Sequence, residues 1–212
     1  MAQSPHIAQL VFIVTAQAGK PLTAQEWLTK VRSALQGGVD AILLRLPDFG
    51  GEQGRGRLLA LAAELRVLTA QFDAKLWIHS DAEIAFAVGA DGVHVRFADV
   101  SEISPMRAWL RDEKMTISAS CHSLAELEIA AAYGADFAFL SPVFATESHP
   151  GAPCLGVEAF KTIADAASLP IIALGGVTET NVDQLNFFSG GVAVVSCLRD
   201  ADDPEKIAQC LT

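Results

Sequence analysis

Three short segments of this 212-residue chain combine residue types that move protons or grip anions. Ser120-Cys121-His122-Ser123 sets an imidazole among hydroxyls, Leu174-Gly175-Gly176-Val177-Thr178 puts two glycines after an apolar run, and Val194-Val195-Ser196 closes another such run. An imidazole titrates near neutral pH and can act as general acid or base. Glycine-rich turns present backbone N–H groups that hold phosphate oxygens, or simply meet a need for positive φ. Arg45, His79, Ser80 and Ser141 also end runs that are otherwise apolar. His94, between Val93 and Val95, reads as a structural hydrogen-bonder. Cys121 must face away from His122 in extended chain and reads as packing.

The elements that would position these residues alternate regularly. Strands are expected at Leu10–Thr15, Val39–Arg45, Lys75–His79, Asp91–Val95, Met115–Ser120, Asp136–Ser141, Pro170–Leu174 and Gly191–Ser196. Helices are expected at Ala24–Gln36, Gln53–Phe72, Ala82–Val88, Pro105–Glu113, Leu124–Tyr133, Val157–Ala167, Glu179–Phe188 and Pro204–Leu211. Nearly continuous apolar strands imply a parallel sheet covered on both faces. Gly38-Val39-Asp40, Gly89-Ala90-Asp91 and Gly134-Ala135-Asp136 form an internal echo in which a helix ends, turns and enters a strand, with Ser189-Gly190-Gly191 a fainter copy. This pattern predicts one domain over 1–212, a small (β/α)8 TIM barrel, ahead of an open doubly wound sheet. Barrel function sits where strands end. Pro47–Gly56 and Ala145–Gly156 then become loops on the catalytic face. Ser123 with Glu126 reads as a capping box, leaving His122 just outside a helix N-terminus whose dipole favours the neutral ring.

Composition narrows the partners. The chain has 25 acidic against 15 basic residues, a net charge of −10, and no basic stripe, which argues against nucleic acid. An anionic ligand must therefore be held by local donors. No apolar run approaches the ~18 residues of a membrane span. Ala16-Gln17-Ala18 lacks the basic residue and apolar length of a secretion signal before it. Cys121, Cys154, Cys197 and Cys210 are scattered, as reduced thiols of a cytoplasmic protein would be.

Several motifs resemble the thiamine phosphate synthase superfamily: Gly89-Ala90-Asp91-Gly92-Val93-His94, Gly134-Ala135-Asp136-Phe137, Ser141-Pro142-Val143-Phe144-Ala145-Thr146, Ala173-Leu174-Gly175-Gly176-Val177-Thr178 and Gly191-Val192-Ala193-Val194-Val195-Ser196. The resemblance covers nearly the whole chain and implies a (β/α)8 barrel. Synthases of that superfamily join a pyrimidine diphosphate to thiazole phosphate with Mg²⁺ and release pyrophosphate. Here their Gln-Leu-Arg-x-Lys reads Leu43-Leu44-Arg45-Leu46-Pro47, their Asn-Asp reads His79-Ser80, and a loop Lys falls at His149. The second metal-ligand Asp is retained as Asp99. The diphosphate half is thus depleted, while the thiazole-phosphate half is intact.

That asymmetry resembles the thiazole tautomerase branch, whose key His stands in a Ser-x-His-Ser setting. Ser148-His149-Pro150-Gly151 also resembles synthase-like domains attached to Nudix hydrolases. The resemblance therefore implies a thiazole-phosphate enzyme that transfers a proton through His122 without a metal. Gly175, Gly176, Val195 and Ser196 would hold phosphate, and Arg45, His79, Ser120, Ser141, Thr146, Ser148 and His149 would contact substrate. Two alternatives are a thiamine phosphate synthase with an altered site, using Mg²⁺ at Asp99, and a non-catalytic binder of thiamine-pathway phosphates. A homodimer or a Nudix hydrolase partner is compatible with each.

Overall fold

The computed structural model describes residues 7–16, 22–46, 51–111, 114–146, 151 and 153–212. Eight parallel strands close a barrel in chain order: β1 Leu10–Val14, β2 Ala41–Leu44, β3 Lys75–His79, β4 Gly92–Val95, β5 Thr116–Cys121, β6 Phe137–Leu140, β7 Ile171–Leu174 and β8 Gly191–Val194. Pairing of Leu10 with Val192 and of Phe12 with Val194 seals it, so the open-sheet alternative falls. The helices are α1 Ala24–Gln36, α2 Gly51–Gln71, α3 Ala82–Val88, α4 Ile103–Leu110, α5 Leu124–Ala132, α6 Gly156–Ala166, α7 Ser196–Arg199 and α8 Pro204–Gln209. No helix among the described residues is long and apolar enough to cross a membrane.

Strand parity divides the apolar side chains into two cores. Phe12, Ile42, Ile78, Ile117 and Leu140 point outward and pack under the helices. Val11, Ile13, Leu43, Trp77, Phe137 and Phe139 fill the barrel itself. Trp77 lies 5.0 Å from Phe137 and edge-on to Phe139 at 6.2 Å, between ring centroids, so the interior is packed and not a pore.

The internal echo has a physical cause. Asp40, Asp91 and Asp136 each donate their backbone N–H to the carbonyl of Leu10, Leu76 and Ile117, at 3.1, 2.8 and 2.8 Å respectively. Each carboxylate also accepts the N–H of that same residue, at 2.9, 2.9 and 2.6 Å. β1, β3 and β5 are thereby tied at their N-terminal ends to β2, β4 and β6. Arg107 adds a 2.6 Å ion pair to Asp136. Charge-assisted bonds to buried backbone donors are worth about 2 kcal/mol. Asp136→Ala is expected to lose about that much unfolding free energy in urea denaturation. Its turnover should stay unchanged, because these ties lie at the barrel end opposite the site.

Four expectations need correction. Of the expected loop Pro47–Gly56, residues 51–56 belong to α2, which starts two residues before the expected Gln53: Arg55 reaches Asp81 at 3.2 Å and also bonds Glu83, which supports the first turns despite their glycines. The helix expected over Glu179–Phe188 is only a 3₁₀ turn, Val182–Leu185. There the Asn181 side chain accepts from Thr178 N at 2.9 Å and donates to Gly176 O at 2.8 Å, so side-chain bonds replace a helical turn. The last strand ends at Val194, and Ser196 opens α7. A second 3₁₀ turn, Phe97–Glu102, precedes α4, whose end is set by Arg111 in the left-handed region.

Candidate active site

Inward parity carries a second set of residues to the C-terminal mouth, beyond the apolar interior. Arg45 follows Leu43, His79 follows Trp77, Arg96 follows His94, and His122 follows Ser120. On the other side Ser141 follows Phe139, Gly176 follows Leu174 and Val195 follows Ala193. Arg96 was absent from the sequence-derived set, although this two-residue parity and its spacing from Asp99 point to it.

Beneath the mouth, His94 is buried and bonded at both nitrogens, Nδ1 to Ser118 Oγ at 2.9 Å and Nε2 to Ser120 Oγ at 2.8 Å. Burial first, then the charges of His79 and Arg45, hold its pKa well below the usual range, so the ring stays neutral. Its role is structural. The Ser120 hydroxyl shares one hydrogen bond with that ring and so also supports the floor of the mouth.

His79 differs. Its ring lies 5.7 Å from that of His94, and its Nδ1 is buried without a hydrogen-bond partner. Desolvation chiefly, then Arg45 and Arg96, lowers its pKa to about 4. A neutral imidazole with an orphaned nitrogen between two guanidinium groups therefore marks one pole of the mouth.

His122 stands exposed at the end of β5's run, just before α5. Ser123 caps α5, accepting from Glu126 N at 3.3 Å, but the capping box is incomplete. The Glu126 carboxylate instead accepts the His122 N–H at 2.7 Å and pins the backbone that carries the ring. His122 Nδ1 lies 2.7 Å from the Ser141 carbonyl. A carbonyl only accepts, so Nδ1 carries a proton, and in the neutral ring the lone pair falls on Nε2. This geometry suits a base at Nε2. Cys121 is buried on the opposite face, and burial pushes its thiol up to about 12.

Gly175, Gly176, Val195 and Ser196 form the other pole. Ser196 begins α7, the short extra helix that barrels often place beside a phosphate site after strands seven and eight. The glycines themselves answer to protein packing. A Cβ on Gly175 would lie 2.7 Å from Pro142, and one on Gly176 would lie 2.3 Å from the Ala145 carbonyl. Both also have positive φ, +100° and +66°. Thr146 is half-buried at the end of the same β6 loop. Ser148 and His149 lie outside the described residues.

The residues at the first pole do not fit the Mg²⁺ that the resemblance implied. Asp99 is paired to Arg96 at 2.7 Å. Ser80, where the synthase pattern has an Asp, offers no carboxylate. The neighbouring Asp81 caps α3 through Ile84 N at 2.8 Å and pairs with Arg55. Among the described residues no three His, Cys, Asp or Glu side chains converge as a metal site.

A closed (β/α)8 barrel with a polar C-terminal mouth defines the class: barrel proteins whose chemistry is carried by strand-end residues. Within it, residues 10–198 match the family model described as thiamine monophosphate synthase, and the chain belongs to that family. A thiamine-phosphate synthase of Methanoculleus marisnigri is 37% identical over 85% of this chain and 83% of its own. One from Pyrococcus abyssi is 31% identical over 94% and 91%. The solved thiamine phosphate pyrophosphorylase from Pyrococcus furiosus superposes with TM-score 0.80 at 29% identity, covering 96% of this chain and 93% of its own. A 3-hexulose-6-phosphate synthase, at TM-score 0.70 and 18% identity, shares the fold alone.

Proposed function

We infer that the protein is a transferase of the thiamine-phosphate-synthase type, joining a pyrimidine diphosphate to thiazole phosphate with release of pyrophosphate. The observation that carries this reading is the family match running through the whole barrel, supported by synthase relatives that align over most of both chains. This reading is favoured over the tautomerase reading that the resemblance implied. In this assignment Gly175, Gly176, Val195 and Ser196 hold the thiazole phosphate. Arg45 faces the leaving diphosphate from the opposite pole, and His79, Ser141 and Thr146 line the space between. Developing negative charge on the leaving group calls for fixed cations. The test is pyrophosphate release from the two substrates together, at high enzyme concentration. Release equimolar with thiamine phosphate is the expected result, and its absence removes the reading.

One specific observation supports thiazole tautomerisation as a second reading. His122 donates Nδ1–H to the Ser141 carbonyl and leaves Nε2 free for a proton, as a one-residue shuttle requires. A tautomerase would then aromatise a thiazole phosphate through Nε2. His122→Asn should abolish that conversion in an absorbance assay, and full activity of the variant would exclude the role.

A further inference from the structure

The carboxylate that the resemblance reserves for a metal already has a cation supplied by the chain. Asp99 Oδ2 lies 2.7 Å from Arg96 Nε, and the Asp99 N–H donates to the Arg96 carbonyl at 3.0 Å. The 3₁₀ turn Phe97–Glu102, with Arg96 at its N-cap, thus binds guanidinium and carboxylate together through main chain and side chain. We propose that Arg96, held by Asp99 beside Arg45 and His79, stands in for a divalent cation, so that this pole binds a diphosphate-class anion without metal. The choice of anion rests on the transferase reading; the metal-free site does not.

Three observations converge. The bond of Arg96 to Asp99 runs through Nε, and its side chain is 63% exposed, which leaves the Nη groups for a ligand. Those groups offer four N–H donors in the planar fork that matches phosphate oxygens. Arg45 is exposed and has no ion-pair partner among the described residues, so a second fixed cation is available. His79 Nδ1 is a buried polar atom with nothing to bond. Turned toward the mouth in its Nδ1–H tautomer, it would donate to an anion between the guanidiniums and satisfy the orphan. Ser80 completes the substitution, because a metal would lose its second carboxylate there while an anion gains from that loss of negative charge.

Titration calorimetry of the full chain with inorganic pyrophosphate, first with a chelator and then with excess Mg²⁺, tests the site. Wild type is expected to bind in chelator, and excess Mg²⁺, which complexes free pyrophosphate, should not tighten that binding. Arg96→Gln should weaken metal-free binding by at least about tenfold, the usual scale of a charge-assisted contact. Asp99→Asn separates the models most sharply. As counter-ion of Arg96 its neutralisation leaves metal-free binding equal or tighter; as a metal ligand its neutralisation weakens binding in Mg²⁺. Pyrophosphate binding that requires Mg²⁺, or loss of binding in Asp99→Asn, overturns the proposal. The Asp99→Asn arm decides even where Arg96→Gln fails to fold by its melting curve. Metal-free binding without turnover would sink the transferase reading and leave the site standing. Turnover that strictly requires Mg²⁺ would do the reverse.

Discussion

Gly176→Ala is expected to lower the unfolding free energy by about 3 kcal/mol, as a downward shift of the urea midpoint. Two costs add. An alanine in the left-handed region costs about 1 kcal/mol. Overpacking adds about 2 kcal/mol more, because the new Cβ would meet backbone and not a flexible side-chain end. The obstructing atoms are the Ala145 carbonyl at 2.3 Å and Phe144 carbon atoms at 2.8 and 3.0 Å. They cannot retreat freely: Phe144 N donates to Gly175 O, and Val143 N to Leu174 O, both at 2.9 Å. Gly89→Ala is the control. Gly89 has φ +65°, nearly the same as Gly176, but no atom within 4 Å of its would-be Cβ. It should cost only the conformational part, about 1 kcal/mol. Equal losses in the two variants would show that the β6 loop yields, and the account of the glycine pair would fail.

That comparison also explains which features were legible in the chain. α1 and α3 have the expected limits because their stop signals are local. Thr23 and Glu26 form a reciprocal cap at one, and Asp81 and left-handed Gly89 bracket the other. β3 likewise runs from Lys75 to His79 as expected. The misread segments are those decided by distant partners. Arg55 supports the start of α2 at Gly51, inside the expected loop, by reaching Asp81 and Glu83. Asn181 prevents a helix by bracing Gly176.

The site divides in the same way. Residue type and strand-end position were enough to single out His122, His79 and Arg45. The flanking valines already set His94 apart from strand-end His79, but only the coordinates show that serines bond both nitrogens of His94 while Nδ1 of His79 stays unpartnered. Arg96 escaped notice since its partner Asp99 read as a metal ligand, and the ion pair between them is visible only in space. For the glycine pair the coordinates add a packing requirement that the chain does not display, the close passage of residues 142–145.

Acidification is expected to separate wild type from His79→Gln between pH 6.5 and 4. In the folded chain the His79 pKa is lowered to about 4 by burial, then by Arg45 and Arg96. In the unfolded chain it returns to about 6.5. The native state therefore binds fewer protons than the unfolded state in that window, and stability falls as pH falls. The contribution is complete above pH 6.5 and gone below about pH 4. One differential proton gives a slope of at most about 1.4 kcal/mol per pH unit, and about 3 kcal/mol over the whole window. His94 acts in the same direction in both proteins and cancels in the difference. Lost imidazole packing in the variant shifts its curve by a constant, so the shape of the difference carries the result. Urea midpoints measured from pH 8 to pH 4 should give a flat wild-type-minus-variant difference above pH 6.5 and a steady decline below it. Parallel curves would mean that His79 is freely protonated in the folded chain. The cationic pole would then be more open to water than its orphaned nitrogen implies. A saturating concentration of pyrophosphate should oppose the decline in wild type, since an anion beside His79 favours the protonated ring.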